Sequence, residues 1–147
     1  MKDKKAIIAG FICLDIRPEL SSSQQELDKA LPPERSPIQI SKSSLRAGGL
    51  LPEVGFALYA LGLPVTLVGK IGDDLFGEAV KQSVEKKAPQ LLSGLTIDPS
   101  TPTGYRIFLN SVYYFPGANN TFYASDIRRD VLREADLFHF GYPSLMR

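Results

Sequence analysis

Asp15 is the residue whose type and setting most directly suggest chemistry. It ends an apolar run, Phe11-Ile12-Cys13-Leu14, where a charged group needs water or a polar ligand. A carboxylate there can accept charge-assisted hydrogen bonds from two neighbouring hydroxyls; the competing reading is an exposed carboxylate that caps a turn. Gly48 and Gly49 carry no Cβ, so the backbone can approach a ligand and the N–H groups of a following helix can point at it. The same pair also suits an ordinary tight turn. Glu53 falls in the first turn of that helix, where it either accepts hydrogen bonds from a ligand or is held by the helix dipole as a structural acid.

Other residues invite chemistry that their surroundings explain more simply. Asp73 and Asp74 form an acidic pair, but adjacent acids before a helix are good caps, and no His or third carboxylate lies at metal-ligand spacing. No metal site is expected, and no catalytic residue is assigned. His139, the only histidine, sits in an apolar run and reads as a core or strand-end residue rather than a base. Cys13, the only cysteine, excludes an internal disulfide and fits a reducing cytoplasm. With no basic residue close by in the sequence, it reads as a buried filler.

These residues require a scaffold of alternating strands and helices. Ala6-Ile7-Ile8-Ala9 reads as a first buried strand with Gly10 at its end, where open α/β sheets place ligand-binding turns; Asp15 follows that end. Pro52 suits the first turn of a helix on which Val54, Leu58 and Leu61 recur at helical spacing before Gly62 stops it. Val65-Thr66-Leu67-Val68 is a short β-branched run suited to a strand covered on both faces. Asp73 or Asp74 then caps a second helix that presents Phe76, Ala79, Val80 and Val84 on one face.

Two excursions interrupt this alternation. Arg17 to Pro37 is rich in Ser, Gln, Pro and charge and reads as a long loop, with a short helix over Gln24 to Leu31 and a half-wet strand over Ile38 to Ser41. Tyr105 to Leu109 and Val112 to Phe115 read as a hairpin turning at Asn110-Ser111. Phe108, Tyr113 and Tyr114 there either close over a ligand or form a sheet contact with another subunit, as a homodimer would. Ser125 or Asp126 caps a short helix through Glu134, and Leu137-Phe138-His139-Phe140 reads as a further strand. A mostly parallel sheet flanked by helices, with a small second sheet, accommodates this order.

At 147 residues, 44% hydrophobic and 22% charged, the chain has the size and composition of one packed domain. A formal net charge of +1 supplies no general attraction to nucleic acid or an anionic membrane. The apolar run after Lys2, Lys4 and Lys5 is too short for a signal peptide or a membrane span. A small metabolite is the expected partner, with neither nucleic acid nor membrane.

The stretch Gly48-Gly49, Leu61-Gly62, Gly69 and Gly72-Asp73-Asp74-Leu75-Phe76-Gly77 resembles the N-terminal signature of the ribokinase/PfkB carbohydrate kinase family. Gly10 with Asp15, Thr103-Gly104 and Gly117-Ala118-Asn119 follow in that family's order. The resemblance implies a ribokinase-like fold with a small β lid, its segments at about 12–46 and 101–118 inserted in an α/β core. It implies the sugar-binding half of an ATP-dependent kinase acting on a sugar or nucleoside hydroxyl. Asp15, Gly48, Gly49, Glu53, Thr103, Gly104 and Asn119 would face the substrate. Turn chemistry is the plain alternative for Thr103, Gly104 and Asn119, which lie beside Pro102 and Pro116. Glu53 departs from the family's usual Asn and bears on substrate choice.

Phosphoryl transfer needs a nucleotide site and stabilised phosphate charge, and no G-x-x-x-x-G-K-[ST], G-x-G-x-x-G or Gly-Ala-Gly-Asp stretch occurs in these residues. The resemblance therefore implies a chain truncated before the nucleotide-binding half, inactive alone, with ATP and Mg²⁺ belonging to the full-length protein. The alternative is a non-catalytic carbohydrate-binding or regulatory module with a kinase-like fold.

Overall fold

A computed structural model describes residues 4–20, 40–109 and 111–146. Four parallel strands form the main sheet: β1 (Ala6–Gly10), β4 (Val65–Gly72), β5 (Gly94–Asp98) and β8 (Leu137–Gly141), in the order β5-β4-β1-β8. Every residue of β1 and β4 is buried, as the unbroken apolar runs require of strands covered on both faces. Ile8, Leu67 and Ile71 pack on one face with Leu51, Val80 and Val84. Those last three belong to α1 (Leu50–Ala60) and α2 (Leu75–Glu85). Ile7, Ala9 and Val68 pack on the other face with Phe122, against Ile127 and Val131.

The second sheet holds β2 (Ile12–Leu20), β3 (Ile40–Gly49), β6 (Tyr105–Phe108) and β7 (Val112–Phe115), in the order β3-β2-β6-β7. β2 pairs antiparallel with β3 and parallel with β6, and β6 with β7 is the expected hairpin. Leu14, Ala47, Ile16 and Tyr105 turn one face of this sheet into the main core. Ser83 Oγ on α2 fastens it by accepting from the Ala47 N–H at 2.8 Å. The overall architecture is the α/β one expected, a parallel sheet flanked by helices beside a small second sheet.

Several local expectations change. The chain from Arg17 to Leu20 is strand rather than loop, because β3 continues to pair with β2 there after the pairing with β6 has ended at Ile16. The expected helix over Gln24 to Leu31 lies outside the described residues, and so do Ile38 and Gln39. Leu61 is 75% exposed, since α1 ends there and Gly62 takes a left-handed φ of 81°. The short helix begins later than expected, as α3 (Arg129–Arg133). Asp126 is engaged before it, accepting from the Tyr123 N–H at 2.7 Å and pairing with Lys70 Nζ at 3.0 Å. His139 is exposed rather than part of a core, because β8 has β1 as its only neighbour among the described strands.

Candidate functional site

Asp15 lies inside β2, not in the turn after β1, and its side chain is 0% exposed. Alternation along the strand sets Cys13, Asp15 and Arg17 on the face opposite Ile12, Leu14 and Ile16. Strand register then brings Arg46 of β3 and Arg106 of β6 opposite Asp15 from the two sides. Arg106 forms a two-pronged pair, Nε to Oδ1 at 2.8 Å and Nη2 to Oδ2 at 3.0 Å. This planar fork-to-carboxylate geometry is the strong form of such a contact. Arg17 Nη2 and Arg46 Nε approach Oδ2 from farther away, at 3.5 and 3.6 Å.

Gly48 and Gly49 shape the edge of this group. A Cβ at position 48 would fall 2.1 Å from Asp15 Oδ1, so only glycine leaves the carboxylate its place. Gly49 takes φ 90° as β3 turns directly into α1, and a Cβ there would meet the Phe11 carbonyl at 2.5 Å. Glu53, in the first turn of α1, reaches within 3.8 Å of Arg106 Nη2 with its side chain 52% exposed. Asp15, Gly48, Gly49 and Glu53 therefore converge at the junction of the second sheet with α1.

The charged group sets its own electrostatics. Burial pushes the Cys13 thiol up to about 12, with the Asp15 charge adding to the shift and Arg106 opposing it; no reactive thiolate forms despite the neighbouring guanidinium. Burial alone would lower the Arg106 pKa, but its hydrogen bonds to Asp15 together with the neighbouring charges, Asp15 and Glu53 among them, outweigh that and raise it. Three guanidiniums face two carboxylates here, an excess of positive charge. Such a site does not fit Mg²⁺, and among the described residues no group of three or more His, Cys, Asp or Glu could hold a metal ion.

Thr103, Gly104 and Asn119 do different work, at the base of the second sheet. Thr103 Oγ1 accepts from the Gly72 N–H at 2.8 Å and bonds Asp74 Oδ1 at 2.7 Å, while its own N–H donates to Asp74 Oδ2 at 2.8 Å. Asp74 also caps α2, accepting from the Gly77 N–H at 2.7 Å. Burial raises its pKa, and the Thr103 and Gly77 bonds together outweigh that and hold it below the usual carboxylate range. The Gly104 carbonyl accepts from the Leu14 N–H at 2.9 Å. Asn119 is fully buried and clamps Ile12, accepting from its N–H and donating to its carbonyl, each at 2.9 Å. The amide also donates to the Pro116 carbonyl at 2.7 Å. Gly104 and Asn119 thus brace the strand that carries Asp15, while Thr103 ties the end of β4 to the cap of α2.

Arg17, Arg46 and Arg106 are the charged partners of this candidate site that motif reading passes over. The signal for Arg17 and Arg106 is the alternation Ile12-Cys13-Leu14-Asp15-Ile16-Arg17 and Tyr105-Arg106-Ile107-Phe108, which marks strands with one charged face. Arg17 stacks 3.8 Å from the Phe108 ring centre and Arg106 5.2 Å from it.

A parallel sheet covered on both faces, beside a second sheet that carries a charged face next to a Gly-Gly helix start, defines a ribokinase-like fold. No protein-family model matches the sequence. Two curated relatives are described as probable fructokinases of Arabidopsis thaliana. Probable fructokinase-5 is 28% identical over 127 residues, covering 78% of this chain and 38% of its own length. Probable fructokinase-4 is 30% identical over 109 residues, covering 67% of this chain and 32% of its own length. Among solved structures, that of Arabidopsis thaliana ribokinase complexed with ribose and ATP superposes with a TM-score of 0.73 at 20% identity, covering 98% of this chain and 46% of that one. The chain is related to the ribokinase/PfkB family of carbohydrate kinases, and it spans less than half the length of these relatives.

Proposed function

We propose that this chain is the sugar-binding, lid-bearing part of an ATP-dependent carbohydrate kinase that phosphorylates a sugar or nucleoside hydroxyl, and that it is inactive alone. The observation that carries this reading is the convergence of Asp15, Gly48, Gly49 and Glu53 at the junction of the second sheet with α1. The relatives support it, being described as probable fructokinases and as a ribokinase complexed with ribose and ATP.

In this reading Asp15, oriented by Arg106, and Glu53 accept hydrogen bonds from substrate hydroxyls, and the α1 N-terminus faces the ligand. Each carboxylate oxygen has more than one acceptor direction, so Arg106 leaves capacity toward Arg17 and Arg46, where a hydroxyl would enter. Gly104 and Asn119 serve the substrate indirectly, by fixing β2, and Thr103 by fixing the turn between β4 and α2. ATP and Mg²⁺ are held elsewhere in the complete protein. The protein works in the cytoplasm, which the single unpaired Cys13 fits, and no helix among the described residues is long and apolar enough to cross a membrane. Copies associate through the exposed edges β7 or β8.

Two measurements on the purified chain test this: calorimetric titration with a sugar and nucleoside panel, and coupled ADP release with ATP and the same panel. Binding of a sugar or nucleoside without turnover is expected. Turnover above background by this chain would overturn its inactivity, and failure to bind any member would overturn the sugar site.

A further inference from the structure

Arg17 and Arg46 have little to do in the charged face as it stands. Arg106 already fills one direction on each Asp15 oxygen at 2.8 and 3.0 Å, whereas Arg17 and Arg46 reach Oδ2 only at 3.5 and 3.6 Å. Those separations lie beyond an ordinary N–H···O bond of about 2.7–3.2 Å. Arg17 Nε is buried with no hydrogen-bond partner among the described residues, and a desolvated donor without an acceptor is costly. Phe108 stacks under the Arg17 guanidinium at 3.8 Å and fixes the plane of its donor fork. Glu53 does not relieve this charge, because among the described residues its one ion pair is with Arg106.

We propose that the substrate of this site is a sugar carrying an anionic substituent, a carboxylate or a phosphate, which docks on Arg17 and Arg46 while its hydroxyls meet Asp15 and Glu53. This deepens the sugar-binding reading and rests on it. A neutral sugar would leave the positive excess uncompensated. An anion supplies acceptors to both guanidiniums in the geometry that makes arginine–oxyanion contacts strong. The two arginines are 38% and 53% exposed, so the anion enters from solvent without displacing the Asp15–Arg106 pair.

The test is calorimetric titration of the purified chain with D-fructose, D-gluconate, D-fructose 6-phosphate and inorganic phosphate, at low and high ionic strength. One anionic sugar should bind about tenfold more tightly than fructose, since charge-assisted bonds exceed neutral ones by roughly a tenfold step. The preference should shrink with salt. Gluconate as the tighter ligand identifies a carboxylate, and fructose 6-phosphate a phosphate. Arg17→Gln and Arg46→Gln should each narrow the gap between anionic and neutral sugar, and Arg17→Lys should restore part of it if the fold is intact. Fructose binding as tightly as both anionic sugars overturns the proposal and leaves the sugar site standing. Inorganic phosphate binding as tightly as the sugar phosphate also overturns it, because the sugar then contributes nothing. Binding of none overturns both readings together.

Discussion

β4 and β2 belong to different sheets of one small fold, and each has buried residues pointing to both faces. In β4 the covering is apolar, Leu67 and Ile71 toward α1 and α2 and Val68 toward Phe122. Apolar burial is non-directional, contributing roughly 25 cal/mol per Å², and its loss scales with the atoms removed. In β2 one face follows the same rule through Leu14, while the other buries the charge of Asp15 under Arg106. That face is conditional: a buried pair adds little over an apolar pair of the same shape, but loss of one partner leaves a charge stranded. The parallel sheet is a foundation that tolerates change in proportion, and the second sheet is, on the proposed function, a surface where stability and recognition depend on the same side chains.

The sharpest way to break this comparison is Asp15→Ala. With Arg106 only 15% exposed, removal of its partner should destabilise the chain by about 3–5 kcal/mol in urea unfolding. Sugar affinity should fall by roughly one to two orders of magnitude, as a charge-assisted hydrogen bond is about 1.5–3 kcal/mol. Replacing Arg106 with Met in the same chain should recover much of the stability and none of the binding. Leu67→Ala in β4 should cost about 2–5 kcal/mol with no such rescue. Equal behaviour of the two sites would mean that the Asp15 face is simply another piece of core.

Gly48→Ala probes the same carboxylate from the side. The new methyl group would collide with Asp15 Oδ1 at 2.1 Å, so a loss of about 1–3 kcal/mol is expected from the forced shift, with a lower sugar affinity. A neutral result would show that β3 moves freely against β2. Asp74→Ala acts on the foundation instead, removing the α2 cap and the Thr103 contacts at an expected cost of about 0.5–2 kcal/mol. Because the folded pKa of Asp74 is depressed below its ordinary 3.8, its stabilisation is present above that value and lost as pH falls through the folded one. Asp74→Asn should therefore flatten the acid side of the stability curve while leaving sugar binding nearly unchanged.

The foundation was legible in sequence because its signals are local. Pro52 and Gly62 bracket α1, Asp74 precedes α2, and β4 is a continuous apolar run. The second sheet was legible only in outline. Asp15 and Arg106 are 91 residues apart, and their contact comes from a parallel pairing of β2 with β6 that no short window reveals. The charged residues after Asp15 suggested a loop, whereas alternation of Ile16 and Arg17 continues the strand. Thr103 and Asn119 carry the right groups for a ligand, yet their polar atoms meet backbone at Gly72, Ile12 and Pro116. Composition cannot distinguish a polar group that waits for a ligand from one that clamps a turn.

Glu53 is where the comparison predicts the smallest stability effect and a clear functional one. It stands on α1, an element of the foundation, but faces the charged surface, with 52% of its side chain exposed and Arg106 Nη2 at 3.8 Å. An ion pair that open to solvent contributes about 0–1 kcal/mol, and Arg106 keeps both of its bonds to Asp15 when Glu53 is replaced. Glu53→Asn should thus shift the melting temperature little. The amide adds a donor where the carboxylate can only accept and removes a negative charge from beside the arginines, so affinity across a panel of neutral and anionic sugars should be reordered, with anionic members gaining most. Thermal melts and titrations of the same variant separate the two roles. A lower melting temperature with an unchanged sugar profile would assign Glu53 to the helix dipole, and the foundation would then extend one residue further into the site than the charged surface suggests.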